Sequence, residues 1–449
     1  MLVRSFLLFV LLFLQSSILV ACRMTASGAD EEQSDTSVPA VSSSPTLTVI
    51  PVDHTPVPQP TPSTVTLTVW GPLELSPLGT TGGAEWLAQE MEAFEQFHGD
   101  IEVVYEAKPE SGAASMLNYL RSASAVAPTL VPDLVIFSPN LLPQLAQTDL
   151  LSPLDQVIGE SLRGDLYPFA FRDTQVDGSW MALPLAIQIE HGAARSGERD
   201  VVPLTLDRMV RENAPIWLFA GQAGADGQMS NPLLLQLLSL MGRTQGETTE
   251  GPLGANALPP QEELVTLFAT FQEAQKQGAI PRQNLLLNDE LLLFDRLLSD
   301  QADFIETSSH TYLMQRGQGS PVTFAPVPTL TGNMITVIDG YLIALTTGAP
   351  RQQEAATRFT EWLFEPARLV AWSRASHWLP ARRSALFGAI EDGAYQTFLD
   401  QQLMTGWLRP GGTEWVSFAQ AVQEQFRAVM TEQTSPVAAT EMLLETYAP

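Results

Sequence analysis

Apolar and polar residues alternate through a β-branched run from Thr64 to Trp70, the period of a half-buried strand, and Gly71-Pro72 stops it. Helical spacing takes over from about Gly83 to His98, where Trp86, Leu87, Met91, Phe94 and Phe97 recur on one face. A strand at Ile101–Tyr105, a helix over Met116–Ala125, a short apolar strand at Asp133–Phe137 and a helix from Leu141 to Gln147 continue the alternation. This β-α-β-α-β-α order predicts an α/β sheet with helices on its faces.

Asp177-Gly178 is a hairpin turn signal between Phe171–Val176 and Ser179–Ile189. The second arm is long for one strand and carries Pro184, which demotes it from a central position or makes it a crossing between lobes. Further strands are expected at Ile216–Phe219, Asp303–Glu306, Val322–Val327 and Val337–Leu345. Thr307–His310 reads as a loop. Helices are expected over Pro232–Met241, Glu262–Gln277, Leu291–Ser299, Gln353–Phe364 and Pro366–Arg374, with a largely helical remainder from Ala394.

The first 63 residues follow other patterns. Arg4 precedes an apolar segment, Phe6–Leu14, and small or aliphatic residues lead into Cys22, the layout of a secretory signal. Cys22 is the only cysteine, so no internal disulfide forms. Leu19-Val20-Ala21-Cys22 resembles a bacterial lipobox, which implies a signal peptide over 1–21 and lipidation of Cys22. A membrane helix is disfavoured because Gln15-Ser16-Ser17 interrupts a run short of the ~20 residues needed to span. Residues 22–63, rich in Ser, Thr and Pro as in Ser42-Ser43-Ser44-Pro45, read as a disordered tether with ends roughly 35 Å apart. Residues 64–449 are then the folded body.

At 449 residues two domains or lobes are expected, and 45% apolar residues suffice to build both. Twenty-three basic against 50 acidic residues give a formal charge of −27, which repels nucleic acid and sets a nucleic-acid role aside. The five histidines, at 54, 98, 191, 310 and 377, show no metal-ligand spacing. No G-x-S-x-G, P-loop or H-E-x-x-H occurs. No cofactor or metal is expected and no catalytic residue is assigned. Paired carboxylates for glycoside hydrolysis need no local motif and stay open as an alternative.

Several segments in order resemble the extracellular solute-binding proteins of bacterial ABC importers, the carbohydrate-binding type (family 1). Thr66-Leu67-Thr68-Val69-Trp70 looks like their first strand and Pro132-Asp133-Leu134-Val135-Ile136 like their A-P-D-V-V strand. Asp177–Pro184 resembles the G-K-x-Y-x-L-P segment before the hinge, and Gln301–Ile305 the G-x-A-A-M segment. Asp339–Ala344 is similar to the G-G-x-x-x-x-I strand. Ala355–Phe364 with Ser376–Arg382 resembles the signature helix and its G-x-L-P-x-R sequel. Leu206 and His310 stand where many relatives place tryptophan.

The resemblance implies a two-lobed, periplasmic-binding-protein-like clamshell joined by hinge crossings near Pro184–Gln188, near Ala325–Val327 and after Trp378. Lobe 1 would span about 64–184 and 326–377, lobe 2 about 188–324 and 378–449. It implies a monomer, lipid-anchored on the extracytoplasmic face of the cell membrane through Cys22, that captures a small polar solute such as a sugar or oligosaccharide and delivers it to ABC permease subunits. The alternatives are a surface-anchored carbohydrate-processing enzyme and the ligand-binding component of a sensor.

A sugar offers hydroxyls at its edge and C–H patches on its faces, so its site needs carboxylates or amides and flat aromatics. Strand ends and crossings supply Trp70, Glu74, Ser138, Asn140, Gln188, His310, Tyr312, Asp339, Tyr341 and Trp378 as candidate ligand contacts. Trp70 suits a core equally well, and Asp339-Gly340 suits a plain turn. Trp180, Trp217, Trp362 and Trp372 read as packing.

Overall fold

The computed structural model describes residues 64–155, 157–195, 205–211, 215–224, 228–241, 258–317, 321–346 and 348–447. The signal, lipobox cysteine and tether expected over 1–63 lie outside them.

The first strand, β1 (Val65–Gly71), is flanked in parallel by β2 (Ile101–Ala107) and β3 (Leu134–Phe137). Between β1 and β2 runs the helix Gly82–Phe97, whose Thr81 cap accepts the Ala84 N–H at 3.1 Å. It buries Phe94, whose ring meets Phe359 edge-on at 5.0 Å. Ser115 caps the helix Met116–Val126 in the same manner. The sequence pattern places these elements to within about two residues because local period and caps specify them together.

The expected hairpin is present but shorter. Only β4 (Gln175–Val176) and β5 (Ser179–Trp180) pair, and Asp177 and Gly178 both take the positive φ of a primed turn. Phe171 and Arg172, expected in its first arm, belong to the short helix Phe169–Arg172. The second arm breaks after Trp180 and resumes as β6 (Leu183–Arg195).

Beyond it come β7 (Trp217–Leu218), β8 (Phe304–Ser308), β9 (Val322–Ala325), β10 (Val337–Leu345) and β11 (Trp407–Leu408). Among the described residues nine strands form one sheet, ordered β2-β1-β3-β10-β6-β8-β7, with β11 on β10 and β9 on β6. β6 holds the two halves together. Its residues 183–189 lie antiparallel to β10, and its residues 190–195 to β8 and β9. Pro184 therefore sits within a central strand, contrary to the demotion expected from sequence. The ladder accommodates it where the register shifts between Tyr341 and Leu342.

Two hydrophobic cores pack against this sheet. One gathers Leu67, Val69, Phe94, Phe137, Leu183 and Phe359, and the other Trp217, Leu235, Phe268, Phe271, Phe304 and Phe426. Leu206 is buried in the second. The helix Arg383–Ala389 packs on Pro366–Ser376, and its Ala385 and Leu386 join the first core. The lobe boundary expected at 377/378 falls between these two packed helices.

Candidate functional site

The crossing strands lay out one polar face. Opposite residues of an antiparallel pair share a face, and alternate residues of a strand return to it. Asp339 lies opposite Gln188 and Tyr341 opposite Ala186, while Glu190 lies opposite Ser308 and Gly192 opposite Glu306. Tyr341, Asp339, Gln188, Glu190, Ser308 and Glu306 therefore share one face of the sheet, running from the first core toward the second. Gly340 makes the tight pairing possible: its φ is +126°, and a Cβ there would meet the Ala186 carbonyl oxygen at 2.1 Å.

Over one end of this face Tyr341 donates its hydroxyl to Glu74 Oε2 at 2.6 Å and meets Trp378 edge-on at 5.5 Å. Trp378 stacks on His310, centroids 4.6 Å apart and planes 26° apart. His310 is not in a loop as expected. Ser308 Oγ accepts the Thr311 N–H, starting the helix Ser309–Gln315, so the ring projects from its first turn. Burial lowers the His310 pKa, against the charge of Glu74 and a hydrogen bond to the His377 backbone.

Beside Asp339 a cavity of about 410 Å³ is lined by Glu110, Ser138 and Asn140, and by Gln228 and Val416. The N–H and hydroxyl of Ser138 both donate to Glu110 Oε1. Burial raises the Glu110 pKa; the Ser138 hydrogen bonds oppose this, and the charges of Asp339 and Glu74 add to it. Asp339 accepts from Arg409 Nε at 2.5 Å, and Arg409 also donates to Asn231 Oδ1. Asn140 Oδ1 is buried and accepts no described hydrogen bond, while its backbone oxygen accepts from Gly412.

Eight of the ten expected contacts thus fall in this region: Glu74, Ser138, Asn140, Gln188, His310, Asp339, Tyr341 and Trp378. Two do not reach it. Trp70 is 5% exposed, turned edge-on to Tyr119 at 6.4 Å and covered by the Lys108 ammonium 4.4 Å from its ring centre. Tyr312 is fully buried, packed on His191 at 5.1 Å and Tyr395 at 4.8 Å, because its position in the short helix faces the core.

Sequence reasoning missed Glu110, Arg409, Glu190 and Glu306. Of the last two, Glu190 carried a signal, since it and Gln188 interrupt an apolar strand at alternate positions. Burial raises both glutamates well above the ordinary carboxylate range, and Glu290 reinforces this. Glu306 itself raises Glu190, Arg409 opposes that rise, and Asp339 adds to it.

A second cavity, of about 910 Å³, opens between the hairpin, Leu142–Ala146 and Trp407–Gly411. An apolar void beside Trp86 and Trp372 holds only about 20 Å³ and belongs to the core.

A family model described as bacterial extracellular solute-binding protein matches residues 89–395. Among solved structures, the cyclic α-maltosyl-1,6-maltose binding protein from Arthrobacter globiformis is similar, with TM-score 0.65 and 15% identity over 86% of this chain and 98% of that one. The sugar-binding protein MalE from Xanthomonas citri gives 0.64 and 18%, over 85% and 96%. Maltose-bound MalE3 of T. maritima gives 0.62 and 17%, over 85% and 98%. No curated protein matches the sequence.

Proposed function

The chain belongs to the bacterial extracellular solute-binding proteins, and from that premise we propose that it captures a sugar or oligosaccharide between two lobes and hands it to ABC permease subunits. The observation that carries this reading is the shared polar face of β6 and β10, bordered by Tyr341, Trp378 and His310 and by the cavity of Glu110, Ser138, Asn140 and Asp339. Carboxylates and amides suit hydroxyls, and aromatic edges and faces suit C–H patches. The similar solved structures are of maltose- or sugar-binding proteins, which supports the same ligand class.

The reading has lobe 1 near 64–184 and 326–377 and lobe 2 near 188–324 and 378–449. Ligand shifts the balance between open and closed forms, and no covalent chemistry takes place. A lipid on Cys22, at the end of a tether, keeps the monomeric body beside its permease at the outer face of the membrane.

Thermal unfolding of the full chain tests this against maltose, maltotriose and other oligosaccharides, with amino acids and short peptides as controls. A native-state ligand at a hundredfold excess over Kd stabilises by about 2.7 kcal/mol. A rise with one sugar class, lost in Trp378→Ala, is expected. A rise only with amino acids or peptides would overturn the sugar assignment.

A further inference from the structure

Glu190 and Glu306 sit diagonally across the β6–β8 pairing, on the face that carries Gln188, Asp339 and Tyr341. Each is 3% exposed. Neither carboxyl oxygen of Glu306 accepts a hydrogen bond from a described protein group, nor does Oε1 of Glu190. Buried polar atoms are ordinarily satisfied, so three such oxygens on two neighbouring acids mark a place built for a donor that the described residues do not supply.

The surroundings specify what kind of donor. Glu290 stands beside the pair with its own Oε2 occupied by Thr307 Oγ1, Ser308 N and Ser308 Oγ, and its charge raises the pKa of both glutamates further. Asp339 adds a further carboxylate. Arg409 acts on Glu190 through its charge, and its hydrogen bonds are committed to Asp339 and Asn231. His191, next in β6, points to the opposite face, where Nδ1–H donates to the Gly192 carbonyl at 2.8 Å and Nε2 accepts from Tyr395 at 2.9 Å. The buried face therefore holds more acid than base. A bare metal ion fits it poorly, because no three His, Cys, Asp or Glu side chains among the described residues meet in a metal-holding group.

We propose that Glu190 and Glu306 form the inner subsite of the cleft and receive a protonated amino group, so that the solute captured here is an amine-bearing sugar. The inference rests on the reading of the β6–β10 face as the ligand floor. An ammonium group supplies three donors for the three unpartnered oxygens, and its charge favours the carboxylate form that burial opposes. Binding then expels a proton: the ammonium takes the place of the acidic hydrogen, and that hydrogen leaves to solvent. A neutral sugar displaces no such proton.

Titration calorimetry of the full chain at pH 7 tests this with glucosamine and its β-1,4 oligomers, with glucose, maltose and N-acetylglucosamine as neutral counterparts, and with the linear amine putrescine. The amino sugars are expected to bind at least about tenfold more tightly than their neutral counterparts, with a heat that varies with the buffer as protons are released. Glu306→Gln is expected to reduce that preference about tenfold or more and to abolish the buffer dependence. Its thermal unfolding midpoint without ligand verifies that it folds. Neutral sugars binding as well as amino sugars would overturn the amine subsite and leave the sugar-capture reading standing. Putrescine binding with no sugar binding would keep the subsite and overturn the sugar reading, and no binding by any probe would overturn both.

Discussion

The imidazole of His310 lies flat on the indole of Trp378, centroids 4.6 Å apart and planes inclined by 26°. One ring comes from the first turn of the helix after β8 and the other from the segment after the helix Pro366–Ser376, so the stack joins parts of the chain 68 positions apart (378 − 310). Aromatic pairs contribute about 0.5–1.5 kcal/mol beyond the area they bury. A double-mutant cycle with His310→Ala and Trp378→Ala, read by urea unfolding, is expected to give a coupling in that range. A coupling near zero would mean that the rings pack independently.

Tyr341 and Glu74 form a second link, through the 2.6 Å hydrogen bond between phenol and carboxylate. Burial raises the Tyr341 pKa, and Glu74 raises it further, so the hydroxyl stays protonated and donating. Glu74 is exposed, and water replaces the lost donor in Tyr341→Phe. That change is expected to lower stability by no more than about 1 kcal/mol, while weakening sugar binding several-fold by removing a polar contact from the floor. Calorimetry on the variant measures the second effect, and unchanged affinity would place Tyr341 outside the ligand's reach.

The elements that position this site were legible where the period is plain, as in Gly82–Phe97, or in β10, where apolar residues flank Asp339-Gly340 on both sides. The site itself was only partly so. Glu306 lies in a strand ending that the sequence shows, yet its proximity to Glu190 depends on the β6–β8 register, a pairing between segments more than 100 residues apart. Trp70 looks like a strand-end aromatic, and only the fold reveals that Lys108 and Tyr119 cover it. Tyr312 was misplaced for a local reason. Ser308 starts a helix of seven residues, too short for periodicity to announce it, and the change from strand to helix turns Tyr312 inward.

Gly340 tests the crossing directly. Its φ is positive, a region that L side chains rarely adopt, and a methyl group there would lie 2.1 Å from the Ala186 carbonyl oxygen, a backbone atom that cannot rotate away. Gly340→Ala is expected to cost about 1–3 kcal/mol or more in urea unfolding, with sugar affinity falling as β10 moves off β6. Gly178, also at positive φ but with open space around it, serves as the control, and Gly178→Ala is expected to cost less. Equal costs would mean that φ, and not the close approach of the two strands, sets the requirement.

Opposite pH dependences are built into neighbouring positions of β6 and β8. Burial lowers the His191 pKa to about 4 from an ordinary 6.5. The stability it contributes is therefore complete above pH 6.5 and is lost as pH falls from 6.5 toward 4, where the unfolded chain takes up a proton that the folded one refuses. The full span is worth ~3 kcal/mol. Glu190 and Glu306 act with the reverse sign. Their pKa values are raised in the fold, so as pH climbs above 4.5 the unfolded chain sheds protons that the folded chain keeps, and stability falls. Urea unfolding between pH 4 and 8 is expected to show His191→Gln flattening the acid limb, and Glu306→Gln gaining stability over the native chain as pH rises. A Glu306→Gln curve parallel to the native one would mean that Glu306 is solvated in the folded protein, and the inner end of the floor would then be open to water.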